Sequence, residues 1–192
     1  MDLPLRHALA TLAYRLGKVL RDTPAGFRDF EAAPSVRTPG QILAHIGDLL
    51  DWALSQVEGR PHWRDSEARD WEQEIARFFA ALEALDQRVA ARGLGAASAQ
   101  KLFQSAVADA FTHTGQLALL RRMAGIPVRP ENYAAADIGQ GRVGPEQSPA
   151  ASGIRLTPQR NGRFHPQQPR TLDGSFHQAG SQHITQHLIE FP

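Results

Sequence analysis

SVRTPGQILAHIGDLLDWALSQVEG, residues 35–59, decides the fold. Thr38 can cap a helix through its side-chain oxygen, and Pro39 suits the first helical position, where no N–H is needed. Behind them Ile42, Ile46, Leu49, Ala53 and Val57 recur three or four residues apart, which places them on one face of a helix over about 39–58. Gly59 and Pro61 close it. A helix with a single apolar stripe has to bury that stripe against other elements.

The rest of the chain supplies them. Leu5, Leu9, Leu12, Leu16, Val19 and Leu20 predict a first helix over about 4–21, and Pro24, Gly26 and Pro34 break the helical pattern beyond it. Ser66 or Asp65 can cap a third helix with Trp71, Ile75, Phe78, Leu82, Leu85 and Val89 on its buried face, ending near Gly93. Ser98 opens a fourth, with Leu102, Ala106, Ala110, Leu117 and Leu120 inward and Gly125 and Pro127 as its stop. Four amphipathic segments without strand alternation predict an all-α four-helix bundle over residues 1–138. The link between the first two helices is the longest, so it is expected to cross an end of the bundle. From residue 139 to 192 Gly, Pro, Gln and His dominate, which predicts an irregular C-terminal extension.

Length and composition bound the function. The 192 residues suffice for one domain and an appendage. No cysteine is present, which removes disulfides, thiolate metal ligands and a cysteine nucleophile. A formal charge of only +1 gives little electrostatic drive toward nucleic acid, so nucleic acid is not an expected partner. No apolar run approaches the roughly 18–20 residues of a membrane span, and the N-terminal MDLPLRHALATLAYRLGKVL lacks the charge order of a secretory signal. The expected location is the cytoplasm.

Two polar residues break the apolar face of the fourth helix. Asp109 and His113 lie four apart, side by side one turn from each other, and are expected to point toward the core. On the second helix His45 shares the inward face with Ile42, Leu49 and Trp52, so three groups can converge. A carboxylate withdrawn from water needs compensation, and a divalent cation bound by His45, Asp109 and His113 would supply it. Two imidazoles and a carboxylate suit Zn, Fe, Ni or Mn, with positions left open for water or a small-molecule substrate. The competing reading is a hydrogen-bonded ion pair near a wet bundle end, with no metal.

These residues also carry a resemblance. His45 with Trp52 seven residues on, then an acid or histidine four before a His-x-Gly-Gln helix (Asp109, His113, Gly115, Gln116), resembles the DinB-like superfamily of four-helix-bundle metalloenzymes. The exit from the fourth helix, LLRRMAGIPVRPENYAAADIGQGRVGPEQ, resembles it too, and the match covers residues 1–148. Members typically use three histidines; His45 and His113 match two, and Asp109 stands where the third is expected. The resemblance implies a thiol-dependent transferase or isomerase using a low-molecular-weight thiol cosubstrate, and a homodimer. The alternative function is a noncatalytic bundle that binds a partner, for example in a stress response, with a structural His/Asp cluster. Asp48, one turn after His45, either orients an imidazole or is a surface acid. Gln116 either bonds near the metal or caps an exposed helix edge. Gly115 is read as permitting close helix packing, and Tyr14 as a half-buried packing residue.

Two motifs are set aside. GQGRVG, residues 139–144, spells a dinucleotide fingerprint, but neither a strand before it nor a helix start after it is expected. His165, His177, His183 and His187 could collect a metal in the extension, though a biased polar tail is the simpler account.

Overall fold

Thr38 begins the second helix as expected and does so reciprocally. Its side chain accepts from the Gln41 backbone N–H while Gln41 Oε1 accepts from the Thr38 N–H at 2.9 Å, with Pro39 at the first turn. The computed structural model describes residues 5–95 and 97–151, all within the first of the chain's two units, Met1–Ile154. Their long helices are α1 (Leu5–Leu20), α2 (Pro39–Val57) and α3 (Trp71–Arg92), followed by a fourth rod. That rod is α4 (Ala99–Leu102), a π-helical segment (Phe103–Val107) and α5 (Ala108–Met123) in unbroken helical conformation. The described residues contain no strand.

The rods pack in a ring: α1 and α2 each lie against α3 and α5, which leaves α1 and α2 on opposite corners. The link between them therefore crosses an end, carrying a short 3-10 turn, Ala25–Asp29, that packs on α2 and α3. Phe27 is buried there edge-on to Trp71 at 5.6 Å, and the Trp71 indole N–H donates to Thr23 Oγ1 at 2.7 Å. Leu9, Leu12, Leu16, Ile46, Phe78 and Leu82, from the stripes expected from the spacing, meet as one fully buried centre, joined by Leu43 and Leu50, which widen the buried face of α2.

The third helix starts later than expected. Asp70, not Asp65 or Ser66, is its N-cap residue, and Ser66 is engaged elsewhere: its N–H and hydroxyl both donate to the Asp48 carboxylate, at 2.9 and 2.7 Å. Asp48 is buried, which excludes the surface-acid reading, and its other partner is Arg77 of α3 at 2.5 Å. Arg77 also reaches Asp51 at 2.8 Å and the Ala44 carbonyl at 3.3 Å. Burial opposes the charge on Asp48, but the Arg77 and Ser66 bonds prevail and hold its carboxyl below the usual range. Gly47 makes room for this network, since a Cβ there would lie 2.9 Å from the Arg77 guanidinium carbon.

Residues 139–151 lie along α1. Val143 is buried in the core, and a Cβ on Gly17 would touch Gln147. Glu131, also buried, accepts from Tyr14, Lys18 and the Ala151 N–H. Tyr14 is accordingly fully buried rather than half-buried, and burial together with its bond to Glu131 raises its pKa to about 12. GQGRVG sits in this irregular stretch, with neither strand nor helix beside it. The histidines at 165, 177, 183 and 187 lie outside the described residues.

The Asp48–Arg77 pair generates a prediction. Arg77→Met leaves a buried carboxylate without its counter-charge and should cost about 3–5 kcal/mol in chemical denaturation. Gly47→Ala, which ordinarily gains helix propensity, should destabilise here because it displaces the guanidinium.

Candidate metal centre

The adjacency of α2 and α5 brings three side chains together. His45 Nε2 is 3.5 Å from Asp109 Oδ2, His113 Nε2 is 3.5 Å from Asp109 Oδ1, and the two imidazole rings are 4.9 Å apart and nearly perpendicular. One ligand atom from each residue falls within 4.8 Å of the other two. The grouping expected from the sequence is therefore present in the structure, with one correction to its setting. The Asp109 side chain is 44 % exposed and those of His45 and His113 are 19 % and 12 % exposed, so the cluster occupies the lip of the core rather than its interior. Ala110, Thr114 and Leu117 take the buried line of α5.

Hydrogen bonding fixes how the donors point. His113 Nδ1 lies 2.7 Å from Gln116 Oε1, a contact that the Nδ1–H tautomer makes as a hydrogen bond while leaving Nε2 free to bind a metal. Nε2 is the ring atom that approaches Asp109. The separation of 3.5 Å is long for an N–H···O bond, which has its mode near 2.9–3.0 Å. It matches the roughly 3.4 Å edge expected between ligands that each lie about 2.1 Å from a tetrahedral ion. The donor set thus fits a divalent cation.

Electrostatics keep His45 available as a ligand. Burial, then the neighbouring His113 and the charge on Arg37, lower its pKa from the ordinary 6.5, against the opposing pull of Asp109. A neutral imidazole is the form that binds metal. Trp63, from the loop between α2 and α3, stands edge-on to His45 with centroids 5.8 Å apart and is half exposed.

Gln116 is hydrogen-bonded to an imidazole of the cluster. Asp48 is not: its bonds go to Ser66 and Arg77. Gly115 faces open space, and a Cβ at this position would have nothing within 4 Å, so close packing does not explain the glycine. Trp52 is partly buried against the core, whereas Trp63, which the spacing gave no reason to select, is the indole beside the cluster. The π-helical segment ending two residues before Asp109 also lacks a signature in the sequence; such segments interrupt α-helices at functional sites with some frequency.

Beside His45 opens a polar cavity of about 550 Å³, whose walls include Arg28, Arg37, Gln41, Asp65 and Ser66. Its size falls within that of small-molecule sites. No helix among the described residues is long and apolar enough to cross a membrane. No family model, no curated protein and no solved structure matches the chain.

The lowered pKa of His45 has a signed consequence. Between the lowered value and 6.5 the unfolded chain binds the proton and the native protein resists it, so metal-free stability should fall as pH drops below 6.5. Thermal melts in chelator at a series of pH values check this, and His45→Gln should flatten the slope in that window.

Proposed function

We propose that this protein is a divalent-metal-dependent enzyme of the DinB-like kind, a four-helix bundle acting as a low-molecular-weight-thiol-dependent transferase or isomerase on a small-molecule substrate. The observation that carries the reading is the convergence of His45, Asp109 and His113 from two helices, with one ligand atom from each within 4.8 Å of the others and each imidazole Nε2 3.5 Å from an Asp109 oxygen. A bound Zn, Fe, Ni or Mn ion would supply Lewis acidity, making a thiol or water nucleophilic near neutral pH. His45 and His113 would provide neutral nitrogens and Asp109 the one anionic ligand. Gln116, hydrogen-bonded to His113 Nδ1, would hold Nε2 toward the shared centre. The absence of cysteine accords with a thiol brought by a cosubstrate.

Asp109 is the residue at which the sequence departs from the three-histidine pattern of the family it resembles, and this makes it the place to test the reading. Asp109→Ala should weaken zinc binding by about 100-fold or more and abolish thiol consumption in the presence of an electrophile, with the helical spectrum retained. Asp109→His should keep the metal. Gln116→Leu should cost roughly 10–100-fold in affinity, the usual effect of removing a group that orients a ligand. Isothermal titration with zinc measures all three. A fall in melting temperature of Asp109→Ala, with no metal lost, would instead favour a structural cluster in a noncatalytic bundle.

A further inference from the structure

His113 and Gln116 also border a second cleft, of about 570 Å³, whose walls are apolar: Val36 from the link before α2, Ile42 from α2, and Leu119, Leu120 and Met123 from α5. Five large apolar side chains are exposed among the described residues, and three of them, Val36, Leu119 and Met123, are here at 47, 57 and 53 %. A fourth, Trp63, stands over His45. Exposed apolar side chains gathered in one concave place, rather than scattered singly, mark a binding surface. The cleft has the dimensions and lining of a small-molecule site.

Among the described residues Arg37 is the one guanidinium in its wall, and it lines the polar cavity beside His45 as well. Of the other charged residues lining the polar cavity, Arg28 pairs with Asp29 at 2.5 Å, and Asp65 and Glu67 also lie in its wall. Among the described residues Arg37 has no carboxylate within ion-pair distance. A divalent ion held by a single carboxylate would leave the ligand cluster with surplus positive charge, and Arg37 lines the cavity that opens beside His45. An anion at Arg37 would offset that surplus, and a guanidinium holds a carboxylate with two parallel bonds.

We infer that the cleft binds an amphipathic organic anion, a free small-molecule carboxylate whose head pairs with Arg37 and whose apolar body lies between Val36, Leu119 and Met123. The inference deepens the metal-dependent reading and rests on it, because it assigns the substrate class of that site: the body of the acid passes beside His113, placing a reactive group near the ligand cluster. A second copy of the chain is a poorer occupant, since the surface is concave and carries an unmatched positive charge beside metal donors.

Calorimetric titration of the full-length chain with octanoate, 1-octanol and acetate tests the inference, in chelator and again after zinc loading. Octanoate should bind once per chain in both forms, with acetate and 1-octanol each at least about tenfold weaker, a difference of about 1.4 kcal/mol. Arg37→Gln should reduce octanoate affinity about tenfold and leave 1-octanol unchanged. Leu119→Asp should weaken both ligands while the helical spectrum and melting temperature hold. Octanoate binding no tighter than 1-octanol, or indifferent to Arg37→Gln, overturns the inference. So does a dimer in sedimentation that Leu119→Asp dissociates, because a second copy would then own the cleft. The chelated protein reports on the cleft alone and the zinc titration on the ligand cluster alone, so either can fail while the other stands.

Discussion

A carboxylate standing between two imidazoles is the constraint on which the candidate site depends. His113 Nδ1 is hydrogen-bonded to Gln116 Oε1, and Nε2 of His113 and of His45 each lie 3.5 Å from an oxygen of Asp109, longer than a good hydrogen bond and close to the edge of a tetrahedral ligand set. The two imidazoles face different oxygens of that carboxylate, and one ligand atom from each residue lies within 4.8 Å of the others, so a single cation could be shared by all three. Burial contributes less than the composition of α5 suggests, because Asp109 retains almost half of its side-chain exposure.

The scaffold converts this local arrangement into a fixed one. His45 lies on a helix whose start is determined by a reciprocal cap and whose flank is tied to α3 through Asp48, Arg77 and Ser66. His113 and Asp109 come after a π-helical segment that inserts an extra residue per turn, allowing Ala106 and Val107 both to stay buried before regular helix resumes. α2 and α5 are then neighbours in the ring, and the cluster sits at their seam. Arg37 lines both of the clefts that border the cluster.

Much of this was legible in the residues. Helical spacing located every long helix, and the Thr38–Pro39 start was readable because caps act through local chemistry. The convergence of positions 45, 109 and 113 followed from the same periodicity. What escaped depended on contacts distant in sequence. Ser66 has the chemistry of a cap, but Asp48, 18 residues away, claims it, and the helix begins at Trp71 instead. Asp48 looked like a ligand's partner or a surface acid because nothing in its neighbourhood announces Arg77. Tyr14 meets Glu131 across 117 positions, and Trp63 reaches His45 from a loop without periodicity. The exposed setting of Gly115 leaves its place in the motif without a packing explanation.

The direct test of the central claim is the metal content of the full-length protein, purified without a histidine tag and measured by elemental analysis before and after reconstitution with zinc, iron, nickel or manganese. The account predicts one tightly held divalent ion per chain. A protein that retains none of these ions after reconstitution, with His45, Asp109 and His113 intact, would contradict it.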